Sequence, residues 1–383
     1  MKKYELLAES KVHRHGITLF RIRALKPLTC LASEVNAGDL GGWIENESNL
    51  SQDGDAWVHD NVVVYGNALV CDSAEIFGNV EVYGNAKIHG NAKVFDDARI
   101  FVNAEIYDRA VVLGNAIISG NAKVYDNVRI LGNANVYGNA SVYNSAIIHG
   151  NANVSGDARI YGNANVCGNA MVFGNAMVYD NAGVGENVRV CGNARVYDNA
   201  RVCNNAQVYD DAKVYNNARV YDNVNVYGDA QVYDNARICN NVNVYGDAKV
   251  YDNAKVYDNA QVHGDAKVYN NARVYDNAQV YVDARIYGNA EVYDDARVYG
   301  NAKVYDNALV CNSAKIFDYA EVYDSANVCD SAMVCRNDVI CGTVKVIVPG
   351  SGWSYIIETN KDLRGIPENV YEPPNTICLQ NSM

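Results

Sequence analysis

Proline is absent between residues 28 and 348, and the five prolines of this 383-residue chain all lie towards its ends. Proline cannot donate to a β ladder, so its absence over such a length suits continuous strand pairing. No apolar run is long enough to span a bilayer. The first residues, MKKYELLAES, are basic but lack the apolar core and small-residue cleavage site of a signal peptide, so a cytoplasmic protein is expected. Positive charge is in deficit. Thirty-two Lys and Arg stand against 45 Asp and Glu, and the net charge of −13 disfavours nucleic acid or an anionic membrane as the general partner. Threonine is missing between residues 56 and 342, and the whole chain holds only six histidines.

What is present is a six-residue repeat, for example Val196-Tyr-Asp-Asn-Ala-Arg followed by Val202-Cys-Asn-Asn-Ala-Gln. Every sixth residue from Val58 to Ile340 is Val or Ile, and every sixth from Ala56 to Ala332 is Ala or Val, without an insertion or deletion. Along Ala-Arg-Val-Tyr the side chains alternate in and out, the period-two signature of a strand with one buried face. The two residues that follow are mostly Gly, Asp or Asn, which enter a left-handed backbone at low cost and so mark a corner. Strand and corner, repeated, coil the chain about an axis. Ala fits where the walls converge, and Val or Ile fills the centre. A coiled chain of this kind needs no second core, whatever its length.

The residue after each Val or Ile fixes the size of one coil. Every eighteenth such residue is tyrosine: Tyr107, Tyr125, Tyr143, Tyr161, Tyr179, Tyr197, Tyr215, Tyr233, Tyr251, Tyr269, Tyr287, Tyr305 and Tyr323. The two other columns are mixed. A triple period implies three hexads per coil, a triangular cross-section and about 16 coils of 18 residues.

Hexads such as Ile130-Leu-Gly-Asn-Ala-Asn and Val184-Gly-Glu-Asn-Val-Arg resemble the hexapeptide repeat of left-handed parallel β-helices. The resemblance implies an all-β, single-stranded left-handed parallel β-helix, and it alone supplies the hand. The segments Gly38-Asp-Leu-Gly-Gly-Trp-Ile-Glu and Asn49-Leu-Ser-Gln-Asp-Gly-Asp-Ala-Trp-Val look like the entry segment of a narrower group. That group comprises uncharacterised bacterial and phage β-helix proteins, described as hexapeptide transferases or polymer-forming proteins on the strength of their fold. Fold does not carry function.

Residues 1–55 lack the hexad and are expected to form an N-terminal cap, with strands at Tyr4–Leu7 and Ile17–Arg23 around a turn at His13-Arg-His-Gly. Residues 56–342 form the helix. Asp338 then replaces an inward Ala, and residues 343–383 are expected to close the other end and finish in a tail. An uncovered β-helix end exposes unpaired backbone and invites end-to-end association.

Hexapeptide acyltransferases resemble this fold and use a histidine base beside loops that leave the coils. No loop interrupts the coils here. His59, His89, His149 and His263 all fall at the outward ladder position, where each replaces an aromatic, and no orienting partner gathers around any of them. No catalytic residue, cofactor or metal site is expected. The closely spaced histidine pair of the zinc-binding γ-class carbonic anhydrases is missing. Cys329, Cys335 and Cys341 stand on three different faces and cannot converge on one ion. Cys311 and Cys329 differ by 18 and stack within disulfide reach, although nine of the 11 cysteines simply replace the ladder aromatic.

Two columns remain. Arg195, Lys213, Lys249, Lys267, Arg285 and Lys303 form a basic stripe beside the tyrosines, like a single-strand nucleic-acid track. Corner residues Asp198, Asp234, Asp252 and Asp306 neutralise it, so a solvated face is expected. Stacked tyrosines stabilise neighbouring strands by themselves. A ribbon of thirteen rings also exposes more apolar surface than monomers usually leave open. The favoured function is a non-enzymatic scaffold or protein-interaction surface, with a protein, either a second copy or another chain, against the ladder. An acyltransferase-like enzyme with an inter-subunit site is the first alternative. A carbohydrate- or ice-binding tyrosine face is the second, although threonine, the usual residue of flat ice-binding faces, is missing from the coils. Gly183 and Gly185 remove two neighbouring outward side chains and leave a candidate notch, open either to drift or to a closely approaching partner.

Overall fold

Each hexad folds as expected into a short strand and a corner, and the strand is shorter than the four-residue alternation suggested. Regular pairing is confined to two residues in most hexads, as in Lys249–Val250 and Lys267–Val268. The ladder is nonetheless continued by its neighbours. Lys249 N donates to Ala266 O, Tyr251 N to Val268 O and Asn253 N to Asn270 O, so these hexads are bonded to the hexad one coil on. The computed structural model describes residues 2–30 and 33–347 and the strands Ile356–Thr359 and Ile377–Cys378. It contains no α-helix among those residues, and no helix long and apolar enough to cross a membrane. The chain is a parallel β-solenoid, divided into two compact units, Met1–Asn193 and Ala194–Met383.

In the first unit an antiparallel hairpin, Tyr4–Val12 with Thr18–Ala24, pairs in turn with Leu40–Ile44. Leu40–Ile44 already runs parallel to Val63–Val64, so stacking starts inside the segment expected to be cap. Trp43 pairs with Val63 across twenty residues, whereas Trp57 pairs with Glu75 across eighteen, so the first coil carries two extra residues. From there three parallel sheets rise in steps of eighteen, for example Glu81 to Arg99, Lys87 to Glu105 and Lys93 to Val111. The hairpin is anchored by buried polar groups. Tyr4 Oη donates to Leu50 O at 2.7 Å, and Lys3 Nζ donates to Ala56 O at 2.9 Å. Burial of that ammonium lowers its pKa to about 8.

The second unit repeats the three sheets with the same eighteen-residue step, as in Arg201 to Arg219, Gln207 to Asn225 and Lys213 to Gln231. The eighteen-residue step still joins Asn327–Val328 to Lys345–Val346, beyond the position where the hexad fails in sequence, and Val339–Cys341 pairs in parallel with Ile377–Cys378. Most of the expected C-terminal cap, Trp353 included, lies outside the described residues.

Within each unit the Val, Ile and Ala columns are almost completely buried, from Ala56 to Ala182 and from Ala194 to Val334. The corners are held by two polar devices. The third hexad residue is left-handed, with φ of 57° at Asp108 and 60° at Asn240, and its carboxylate often accepts from the backbone of the next coil. Gly90 N, for example, donates to Asp72 Oδ2 at 3.0 Å. The fourth residue builds amide ladders: Asn85 Nδ2 donates to Asn103 Oδ1, Asn103 to Asn121 and Asn121 to Asn139, each at 2.9 Å.

Candidate functional site

An outward side chain on a parallel coil has its own column above and below it, so like residues meet like at strand spacing. In the first unit the rings of His89, Tyr107, Tyr125, Tyr143, Tyr161 and Tyr179 stack at centroid distances of 4.8–5.2 Å, within 9° of parallel. In the second unit Tyr197, Tyr215, Tyr233, Tyr251, Tyr269, Tyr287, Tyr305 and Tyr323 stack at 4.8–5.0 Å, within 10°. Ring faces are thus spent on one another, while one edge and the hydroxyl of each half-buried ring look outward. Several hydroxyls are tethered. Tyr305 Oη donates to Glu321 Oε2 at 3.1 Å, and Tyr215 Oη to Gln231 Oε1 at 3.4 Å.

Loss of solvent and the neighbouring phenols push these hydroxyls up, to about 12 at Tyr107, Tyr197 and Tyr287. Those three phenols are therefore neutral donors at any physiological pH.

The sequence singled out one column, but the second unit stacks aromatics on all three faces. Tyr209, Tyr227, Tyr245, His263, Tyr281, Tyr299 and Phe317 form an unbroken second stack, and Tyr257, Tyr275 and Tyr293 a third. These columns read as mixed because their occupants change along the whole chain. Within the second unit the Tyr209 column is aromatic as far as Phe317, whereas the third alternates between cysteine and tyrosine before its run of Tyr257, Tyr275 and Tyr293.

The histidines lie where the ladder places them. His59 stacks on Phe77 at 4.1 Å, His89 on Tyr107 at 5.0 Å, and His263 between Tyr245 and Tyr281. His149 has Leu131 and Cys167 as its column neighbours. Two of the histidines have carboxylate neighbours that were not foreseen: His89 Nε2 lies 3.2 Å from Glu105 Oε1 and its Nδ1 3.7 Å from Asp72 Oδ2, and His59 is enclosed too. Ser33 Oγ lies 3.3 Å from its Nε2, and the fully buried Glu75 brings Oε2 within 3.9 Å of the same nitrogen. A nucleophilic relay needs hydroxyl and carboxylate on opposite ring nitrogens, so this group is a polar clasp between Ser33 and the first coils. Burial lowers the His59 pKa to about 4 and keeps the ring neutral. The signal was absent from the repeat because Ser33 belongs to the segment ahead of it.

At the notch, a Cβ on Gly183 would meet nothing within 4 Å, whereas one on Gly185 would come within 2.9 Å of Cys167 Sγ. Cys311 and Cys329 form a disulfide, with Cα atoms 4.7 Å apart, where the simpler expectation was a pair of ladder thiols. Cys341 is also disulfide-bonded. No cluster of His, Cys, Asp and Glu suited to a metal ion occurs among the described residues. One face of the second unit carries a groove of about 420 Å³ between a corner column of Asp229, Asp247, Asp265 and Asp283 and the column of Gln231, Lys249, Lys267 and Arg285.

With this geometry in view, the repeats have a counterpart among known families. Residues 134–150, 188–204, 194–210, 266–281 and 284–300 match the family model described as YdcK beta solenoid repeat. The chain is a hexapeptide-repeat β-solenoid. It is also similar to a protein named uncharacterized acetyltransferase YdcK from Escherichia coli strain K12. The two are 31% identical over 78 residues, 18% of this chain and 23% of that protein. The β-solenoid thus spans about a quarter of the relative's length in that match.

Proposed function

We propose that this β-solenoid is a non-enzymatic, cytoplasmic scaffold that presents its tyrosine ladders to a protein surface. The observation that carries the reading is the repeated row of phenol edges, half-buried and fixed by stacking. Tyrosine contributes large contact area for little lost rotamer freedom, and an array already ordered by stacking loses less still on binding. The test is solution mass by light scattering over a wide dilution series, for the wild type and for Tyr215→Ser/Tyr233→Ser/Tyr251→Ser. Self-association abolished by the three substitutions would make the ladder a contact between copies. A partner that binds the wild type and not the variant would make it a contact with another protein. A ladder whose loss changes neither would sink the reading.

The similarity to a protein named as an acetyltransferase favours one second reading, acyl transfer at a site completed between copies. That reading requires acetyl-CoA to bind and a turnover that disappears on replacing His59, His89, His149 or His263. Titration calorimetry with acetyl-CoA separates the two readings, and absence of heat at millimolar ligand removes the enzyme.

A further inference from the structure

We infer that a second copy of this chain docks on the charged groove of the second unit, with the two coil axes parallel and related by a two-fold axis. The contact lies beside the tyrosine ladder and leaves the ring edges free, so it goes beyond the function proposed above.

The argument begins with a broken local rule. At the equivalent corner of the first unit Asn67, Asn85, Asn103, Asn121 and Asn139 pass amide hydrogen bonds up the stack. In the second unit that column reads Asp211, Asp229, Asp247, Asp265, Asp283, Asn301 and Tyr319, and the four aspartates from Asp229 to Asp283 line the groove. Four carboxylates now follow one another at strand spacing, about 4.8 Å, with no donor between them. Like charges in such a row repel, so the column is less stable than the asparagines it replaces. Two residues along each strand stands the basic column of Lys249, Lys267 and Arg285, stacked in register. Neither of these runs is internally paired. Arg273 pairs with Glu291 and Lys303 with Glu321 in this unit, whereas among the described residues none of these seven charged groups makes an ion pair within 4.0 Å. The face thus carries one negative and one positive stripe, parallel to each other, with an open groove between them.

Symmetry selects the occupant. A two-fold axis parallel to the coil axis and centred over the groove exchanges left and right while preserving height. It lays the aspartate stripe of each copy on the basic stripe of the other, so that Asp247 meets Lys249 of the second copy and Lys249 meets its Asp247. Every contact is made twice, as an isologous interface requires. A two-fold perpendicular to the coil axis keeps left and right, sets aspartate on aspartate and is repelled. A polycation or a polyanion satisfies one stripe and is repelled by the other. The pattern therefore specifies its own copy in one orientation. Few rungs are involved and they are solvent-exposed, so the association is weak and salt-sensitive.

The test is sedimentation equilibrium at low and high salt on full-length variants. The wild type is expected to dimerise at low salt and to dissociate at high salt. Asp247→Lys/Asp265→Lys and Lys249→Asp/Lys267→Asp should each weaken association at least tenfold, and an equimolar mixture of the two should form a heterodimer. The four-fold swap, Asp247→Lys/Asp265→Lys/Lys249→Asp/Lys267→Asp, should restore the homodimer, which only the parallel arrangement allows. Rescue in the mixture and the swap shows that the double variants fold. Tyr215→Ser/Tyr233→Ser/Tyr251→Ser should leave the dimer intact. A wild type that stays monomeric at low salt overturns the inference, as does a dimer indifferent to the charge changes or a swap that stays monomeric. A dimer lost only in the tyrosine variant overturns it too, while supporting the ladder as the contact.

Discussion

Residues at the corners show which local preferences the fold obeys and which it overrides. The left-handed third position is Gly, Asp or Asn nearly throughout, yet Val102 and Val282 occupy it with φ of 65° and 61°. A β-branched side chain clashes there with its own carbonyl, at a cost of about 1–2 kcal/mol. Both valines are largely exposed, at 45% and 48%, so little burial offsets that strain. Val282→Asn is accordingly expected to raise stability by about 1 kcal/mol in chemical denaturation, and a loss of stability would show that the valine packs usefully. His59 makes the opposite kind of prediction. Its folded pKa, about 4, lies below the ordinary value of 6.5, so its contribution is complete above pH 6.5 and is lost as pH falls towards 4. Melting of the wild type should weaken over that window by a few kcal/mol. His59→Phe, which keeps the stack on Phe77 and cannot be protonated, should flatten the dependence.

At the scale of the element, a two-residue strand is far too short to be stable alone, and it survives because every coil repeats it in register. Three kinds of column reinforce the backbone ladder: valines inside, asparagine amides at the corners and aromatic rings outside. Each stacked ring pair contributes about 0.5–1.5 kcal/mol. Asn121 both accepts and donates at 2.9 Å, so Asn121→Ala removes two rungs of the amide ladder and should cost about 1–2 kcal/mol in a denaturant melt. The phenols give a pH signature. With folded values raised to about 12 from an ordinary 10, Tyr107, Tyr197 and Tyr287 stabilise the coils fully below pH 10 and lose that contribution as pH rises through 12. Phenolate absorbance should therefore appear late and together with unfolding. An early, independent titration would mean that the rings are not stacked.

For the whole molecule, the open edges of a parallel coil are its chief hazard. The hairpin of Tyr4–Val12 and Thr18–Ala24 pairs with Leu40–Ile44 and so covers the edge of one sheet at the start of the first unit. A chain lacking residues 1–39 is expected to form filaments or aggregates, read by light scattering and electron microscopy. A soluble, unchanged deletion variant would remove the capping role. The aspartate run of the second unit also belongs to this scale. It weakens its own column and gains its meaning only when a second surface faces it.

The hexad made the parallel coil legible because one residue type in six had to be Val or Ile, and another Ala, wherever three walls enclose a narrow core. The eighteen-residue tyrosine period likewise showed three hexads to a coil, since stacking couples only residues one coil apart. The hand came from family resemblance alone. Contacts outside the period were hidden. Ser33 beside His59 and Glu75, the two extra residues of the first coil and the start of stacking at Trp43 all arise from chain that never repeats. The stripes of Asp229 and Lys249 were present as letters but not as a surface. Whether neighbouring charges pair, or remain open to a partner, depends on the distance between corner and strand, and only the folded chain sets that distance.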